Sequence, residues 1–476
     1  MSSLHETAYP RLKSDITDNE LEECYTPTST ELAWVQPIKR TVPRIGMLLH
    51  LKLFQRLGYF IPLASIPRRI IEHLVKHGGF RQTPTIKQLS EYERSGTKAR
   101  HQKLIRDHLD VKQLTTSDNQ WLQQVAVNAA DTKEMLSDII NVMLEELVRH
   151  CFELSGYTVL KRIARQARNQ VNERCFKSIT SQLTTDAKQK IDELLAPQRE
   201  TYSAWHILKR EPKKPGNKEV RSYLQHVHWL QTLGDVMPEV RLPIIKHRQF
   251  ALEARALDAK EMARLKANKR YALAVILICS QHSKALDDVA DLLTKMVRSM
   301  ESLAQTALQK HLLEHQKHVD QLIVTFKDVL TAYEQDESRV QRLSSIDNII
   351  GEDSSALIDR CNEHIAYAGN NYFPFMMAPY RQKRALLFNC LTILDLQSTS
   401  NDTTSDGLLK LIRPLQSSRI EYLSIASANE TMGQAFDPTW MPEKWRKLVM
   451  VKSEKTKQFD LLHRKYLELW ILVHLK

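Results

Sequence analysis

Glycine is scarce in this sequence, at 12 of 476 residues. Average proteins carry about 7%. Sheets built from hairpins use glycine at their turns, so the shortage argues against a β-rich fold. Long apolar runs are also missing. The longest, "YALAVILIC" from Tyr271 to Cys279, falls well short of the about 20 residues that cross a bilayer. The opening "MSSLHETAYPRLKSD" holds no apolar stretch, so no signal peptide is expected. None of the six cysteines (Cys24, Cys151, Cys175, Cys279, Cys361 and Cys390) is spaced as C-x-x-C, which excludes a zinc ribbon or a dithiol redox motif. They read as reduced thiols of a cytoplasmic protein. The chain has no Walker loop, no Rossmann glycine fingerprint and no G-x-S-x-G elbow.

An apolar fraction of 42% supports real cores, and segments rich in leucine, lysine and glutamate favour helices. The expected class is all-α and multi-domain. The length prior allows about three domains. The boundaries are drawn at 1–110, 111–222, 223–345 and 346–476: two helical DNA-binding modules, a long-helix dimerisation region and a helical scaffold. No fixed-period repeat is present, so a solenoid is not indicated.

The formal net charge of +12 favours an anionic partner. Its distribution is more informative than its size. Residues 1–37 carry −5, 38–106 carry +12, 107–154 carry −6 and 155–222 carry +8. Two basic blocks flank an acidic spacer, as two nucleic-acid-binding modules in tandem would require.

In the first block, "TVPRIGMLLHLKLFQRLGYF" reads as a helix with Pro43 in its first turn and Gly58 at its stop. Arg44, Lys52, Gln55 and Arg56 fall within a third of its circumference. Ile45, Leu48, Leu49, Leu53 and Leu57 supply apolar surface. "TKARHQKLIRDHL" places Lys98, Arg100, Lys103 and Arg106 around a second helix, anchored by Leu104, Ile105 and Leu109.

In the second block, Thr132 to Leu154 reads as an amphipathic helix and "SGYT" as a turn. A helix then runs from about Thr158 to beyond Val171. Leu160, Ile163, Ala164, Ala167 and Val171 share one face; Lys161, Arg165, Arg168 and Asn172 lie roughly 110° from its centre. Helix, glycine-containing turn, helix is the helix-turn-helix pattern. Its second helix presents arginine and lysine to phosphates, and arginine or asparagine to base edges. The same pattern also fits a solvated basic face. "WHILKREPKKPGNKEVRS", Trp205 to Ser222, reads as a basic loop or linker. "SIDNIIGEDSS" and "LQSTSNDTTSDG" read as later breaks.

Some patterns suggest metals. "HLLEH" matches the H-x-x-E-H spacing of zinc proteases at His311, Glu314 and His315. The polar segment around it reads as a solvated helix. Asp287, Asp288 and Asp291 in "LDDVADLL" read as a solvated acidic face, and "HVHW", His226 to Trp229, lacks further ligands. No catalytic, metal or cofactor site is therefore assigned to this chain.

The order of the segments resembles the N-terminal half of the Tn-three-type transposases of cointegrate-forming bacterial transposons. "LEECYTPTSTELAWVQPIKRTVPRIGMLLHLKLFQRLGYFI" resembles the opening module and "SGYTVLKRIARQARNQ" the start of the second. "KRYALAVILICSQHSKALDDVADLLTKMVRS" resembles a long-helix region. "WMPEKWRKLVMV" and "HRKYLELWILVHLK" are similar to the approach to the catalytic half. The resemblance implies helical modules that bind double-stranded DNA at terminal inverted repeats, then dimerisation and scaffold regions. It also implies an Asp-Asp-Glu magnesium site on a ribonuclease-H-like fold. No residue here matches those three acids, so Mg2+ is expected only with the missing half. Leu467, Leu469, Trp470, Ile471, Leu472, Val473 and Leu475 run to the last residue without a glycine cap, which predicts a chain cut short.

The reading is a DNA-binding and assembly part of a transposase that forms a homodimer. It is cytoplasmic and nucleoid-associated, has no membrane or small-molecule partner, and is not an enzyme by itself. The alternative is a helical scaffold that binds acidic protein or RNA. A zinc hydrolase at His311, Glu314 and His315 is a third. The DNA-facing set is Arg44, Lys52, Arg56, Lys98, Arg100, Lys103, Arg106, Lys161, Arg165, Arg168 and Asn172.

Overall fold

A central helix, Thr41–Leu57, organises the N-terminal part of the computed structural model. The structure describes residues 4–13, 15–196, 203–213, 216–335, 338–351, 354–367, 371–398, 403–454 and 456–475. These residues form twenty-two α-helices and three short strands, so the fold is all-α in class. The chain divides into two units: Met1–Trp205 with Met237–Leu277, and His206–Val236 with Ile278–Lys476.

The first unit has two large hydrophobic clusters. One surrounds Thr41–Leu57, which is apolar on nearly every side: Ile45, Met47, Leu48, Leu49, Leu51, Leu53, Phe54 and Leu57 are all buried. A helix buried all round must be covered on every face. Helices Asp18–Tyr25, Ser29–Val35, Arg68–His77, Ile86–Arg94 and Gly96–His108 pack around it. Capping boxes at Thr17, Thr28 and Thr85 open three of these, each threonine side chain accepting from the backbone N–H three residues on. Gly46 is required by packing, because a Cβ there would stand 2.5 Å from the Tyr92 ring. Gly58 ends the central helix at φ 74°, a conformation that favours glycine. Its carbonyl accepts from the N–H of Leu154 at 2.9 Å, joining the first cluster to the second.

The second cluster lies between helices Thr116–Thr132, Leu136–Arg149 and Tyr157–Ser181, which pack on one another. The single helix expected from Thr132 to Leu154 is corrected here. Lys133 is extended (φ −113°, ψ 145°), so the chain breaks and restarts at Leu136. No glycine or proline marks that break, so apolar periodicity ran through it. After Arg149 the chain turns through Cys151, at φ 55°, while Lys112 exchanges backbone hydrogen bonds with Cys151 and Glu153.

Tyr157–Ser181 agrees with the helix expected from about Thr158. Leu160, Ile163, Ala164, Ala167 and Val171 are buried, as their shared face required. The stretch read as a linker, Trp205 to Ser222, is helical at its two ends, in Ala204–Leu208 and Asn217–Gly234, and non-helical at 209–213 and 216 between them. Lys214 and Pro215 of that stretch lie outside the described residues, as do 352–353 and 399–402 of the two later breaks. "SIDNII" and "TTSDG" are themselves helical, in Arg339–Ile350 and Thr403–Leu415.

In the second unit, helices Met377–Leu394, Thr403–Leu415, Glu443–Val449 and Arg464–His474 pack beside a three-stranded antiparallel sheet. Leu461–His463 is its middle strand, pairing Leu423 with Leu462 on one side and Met450 with Leu462 on the other. The closing apolar run is not left bare: Leu467, Leu469, Trp470, Ile471 and Leu472 are buried. Glu468, on the same helix, is also fully buried. It accepts two hydrogen bonds at 2.8 Å from Arg384 and one from the Tyr380 hydroxyl.

Candidate nucleic-acid interface

The cations of the first basic block divide into those held by the fold and those left at the surface. Lys52 is buried, and its ammonium stands 3.2 Å from Glu31. The Gln55 amide donates to the same carboxylate at 2.9 Å. Burial pushes the Glu31 carboxyl up, but the Thr28 N–H, Gln55 and Lys52 outweigh it and hold the pKa below its ordinary value. Lys52 is thus a core ion-pair partner, and its placement on a DNA-facing surface is corrected. Arg44 is also occupied, donating to the carbonyl oxygens of Ile38 at 2.6 and 3.1 Å and of Gln36 at 2.9 Å. It closes the turn ahead of its own helix.

On Gly96–His108, Lys98 pairs with Glu93 at 3.3 Å and Arg106 with Glu153 at 2.8 Å, the latter 5.0 Å from the Phe60 ring centroid. Leu104 is 49% exposed and anchors nothing, while Ile105 is fully buried. Arg56, Arg100 and Lys103 are exposed, and none forms an ion pair with another described residue.

The second block needs a sharper correction. Asn172 is half-buried and engaged: its amide donates to Glu134 at 3.0 Å, and its side-chain oxygen accepts from Lys246 at 2.8 Å. Lys246 is fully buried and reaches Glu134 at 2.7 Å; Arg168 stands 3.9 Å from the same carboxylate. These groups belong to a polar cluster between Tyr157–Ser181, the Glu134 turn and helix Ile244–Ala256. Lys161 lies 5.8 Å over the Tyr157 ring and is half-buried. The flank of the helix is covered because it packs on more than one neighbour.

Its solvent face is centred elsewhere. Thr158, Arg162, Arg165 and Asn169 are all exposed. At 100° per residue they fall within about 60° of arc. Arg165 is the residue shared with the expected set; Arg162 and Asn169 were missed. Their signal was available, because both lie opposite the apolar face defined by Leu160 and Ala167. The exposed face therefore offers two guanidinium groups and a side-chain amide from the first half of a helix. Those groups can donate to phosphate oxygens or to the acceptor edges of guanine and adenine.

The remaining metal-suggestive patterns fall as follows. Asp288 accepts from the Tyr223 hydroxyl at 2.9 Å and Asp291 stands 3.8 Å from Lys295. His226 is buried, and burial first, with Arg210 adding to it, lowers its pKa to about 4.

A family model described as "Domain of unknown function (DUF4158)" matches residues 1–167, which hold the first hydrophobic cluster and most of the second. Over longer stretches the chain is similar to named transposases. It is 20% identical to the transposase for transposon Tn1546 of Enterococcus faecium over 83% of this chain and 40% of that protein. It is 21% identical to the transposase for Tn3926 of Escherichia coli, over 96% of this chain and 45% of the relative. The transposase for Tn501 of Pseudomonas aeruginosa matches at 24% over 63% of the chain and 30% of its own length. The chain is homologous to Tn-three-type transposases. The homology runs along most of its length at low identity, and the chain spans less than half of each of these relatives. Among the described residues no helix is long and apolar enough to cross a membrane.

Proposed function

We propose that this chain is the DNA-binding and assembly part of a transposase, and that its two N-terminal modules grip the terminal inverted repeats of a transposon. The observation that carries this reading is a set of exposed basic side chains that form no ion pair with another described residue. Arg56, Arg100 and Lys103 lie on the first module; Arg162 and Arg165 lie on the second. Homology to transposases makes duplex DNA the anion of choice. Phosphate contacts would supply most of the affinity, and Arg162, Arg165 and Asn169 would read base edges.

Strand cleavage and joining belong, in this reading, to an Asp-Asp-Glu half outside these residues, with its Mg2+. The purified chain is expected neither to nick nor to join transposon ends in Mg2+ or Mn2+. Occupying an end without cutting it would make the chain an inhibitor of transposition. A homodimer is supported by apolar side chains exposed on helix Ala267–Glu334, including Leu313, Ile323, Phe326 and Leu330. Sedimentation at rising concentration tests it, and a monomer throughout rejects it.

The experiment for the central reading is fluorescence anisotropy with three labelled probes: the transposon-end duplex, a scrambled duplex and a single-stranded RNA of equal length. Tightest binding to the end duplex supports it. Tighter binding to the RNA would favour the interaction-scaffold alternative.

A further inference from the structure

In the second unit, His311 and His315 lie one turn apart on helix Ala267–Glu334, their ring centroids 4.0 Å apart. Helix Ser354–Tyr367 brings Glu363 to them. One ligand atom from each of the three lies within 4.8 Å of the others. They line a cavity of about 300 Å³ together with His318, His364 and Arg360. From these residues we infer a binding site for one divalent transition-metal ion of the zinc class, with His311, His315 and Glu363 as its protein ligands.

The donor chemistry suits that class. Two imidazoles and one carboxylate form a known zinc ligand set, with bonds of about 2.0–2.2 Å. Tetrahedral geometry then places donors about 3.4 Å apart. Glu363 is exposed and can turn the remaining distance. The hydrogen bond between His315 Nδ1 and the carbonyl of His311, 2.9 Å long, makes Nδ1 the donor and leaves Nε2 its lone pair for a metal. A ring so fixed is the usual support of a ligating histidine. Tyr367 and Phe375 pack on His311 with centroids at 4.6 and 5.4 Å, which restrains the second ring. The fourth position falls to water or to His318, whose ring lies 5.7 Å from that of His315.

Sequence spacing pointed to Glu314 as the third member of this group. In the structure Glu314 is exposed and pairs with Lys310 at 3.6 Å. The carboxylate that meets the histidines comes from another helix. In an H-x-x-E-H hydrolase the glutamate is the general base and not a ligand; here Glu314 is held by Lys310. The ion would act as a cross-link between the two helices, and the inference does not rest on the transposase reading.

The test is titration of the untagged, EDTA-treated full chain with Zn2+ by calorimetry, and with Co2+ by its visible absorption. One ion per chain is expected, with the intense visible bands of a tetrahedral cobalt site. His311→Ala and His315→Ala should each weaken binding by more than about 100-fold, and Glu363→Gln by about 10-fold or more. Glu314→Gln should leave it unchanged. All four positions are exposed or half-buried, so circular dichroism should show intact helices. No binding by the parent, or equal binding by the histidine variants, overturns the site. A loss in Glu314→Gln as large as that in Glu363→Gln overturns its ligand set.

Discussion

Two buried residues of the central helix, Lys52 and His50, show how a side chain's surroundings override its type. Lysine at position 52 counted as surface charge in the sequence, because composition does not reveal that its helix is enclosed. Removing it should damage stability and not DNA binding. Lys52→Ala leaves Glu31 buried and short of a partner, and breaking such a pair costs about 3–5 kcal/mol. Thermal unfolding should show that loss, while the salt dependence of DNA binding by the folded variant stays that of the parent. His50 is fully buried with neither ring nitrogen bonded to a described residue, between the rings of Phe60 and Tyr92. Burial first, with Lys98 and His101 adding to it, lowers its pKa from 6.5 to about 3. The folded state therefore keeps the ring neutral while the unfolded chain takes up a proton. Proton uptake by the unfolded chain takes away no stability well above pH 6.5, and a growing amount as pH falls from there towards 3. His50→Met should remove that loss. Between pH 6.5 and 5 the parent should lose about 1–2 kcal/mol more than the variant. Parallel stability curves would show that His50 does not stay neutral.

At the scale of the element, the helix Tyr157–Ser181 was legible in outline. Periodicity identified Leu160, Ile163, Ala167 and Val171 as its inner face, and all four are buried. It could not say how many neighbours the helix has. A third element, carrying Lys246, covers the flank at Arg168 and Asn172 and moves the free surface to Arg162, Arg165 and Asn169. The variants separate these roles. Arg162→Ala with Arg165→Ala should leave the melting curve unchanged and weaken binding of the end duplex, each loss flattening the salt slope by about one unit. If either arginine reads a base, discrimination at that base pair should fall by about 1–3 kcal/mol. Asn172→Ala should do the reverse: it strips Lys246 and Glu134 of a shared partner and lowers stability by about 1–3 kcal/mol. Ile163→Asp puts a charge into the core and should unfold the module. A double arginine variant that binds like the parent would make this helix a solvated basic face.

For the whole molecule, scarce glycine and helix-forming composition indicated the all-α class, and the small sheet at Tyr422–Ser424, Met450–Val451 and Leu461–His463 left no such trace. Its strands are two or three residues long, too short for a period of two to register. The terminal apolar run was visible, but not what covers it: Leu467, Leu469, Trp470, Ile471 and Leu472 are buried within the second unit, on the helix whose buried Glu468 pairs with the half-buried Arg384. Alternation of charge along the chain marked two basic blocks. Only the fold could sort their cations into ion-paired and free. The central claim is that the free ones hold duplex DNA, and the dependence of affinity on salt tests it most directly. Affinity for the transposon-end duplex is measured at several concentrations from 50 to 200 mM salt. Contact with six to ten phosphates requires a fall of about 10³–10⁵ over that range. A variant with Arg56, Arg100, Lys103 and Arg165 all changed to alanine should show a slope lower by about four units. A nearly salt-independent affinity, or an unchanged slope in that variant, would contradict the account.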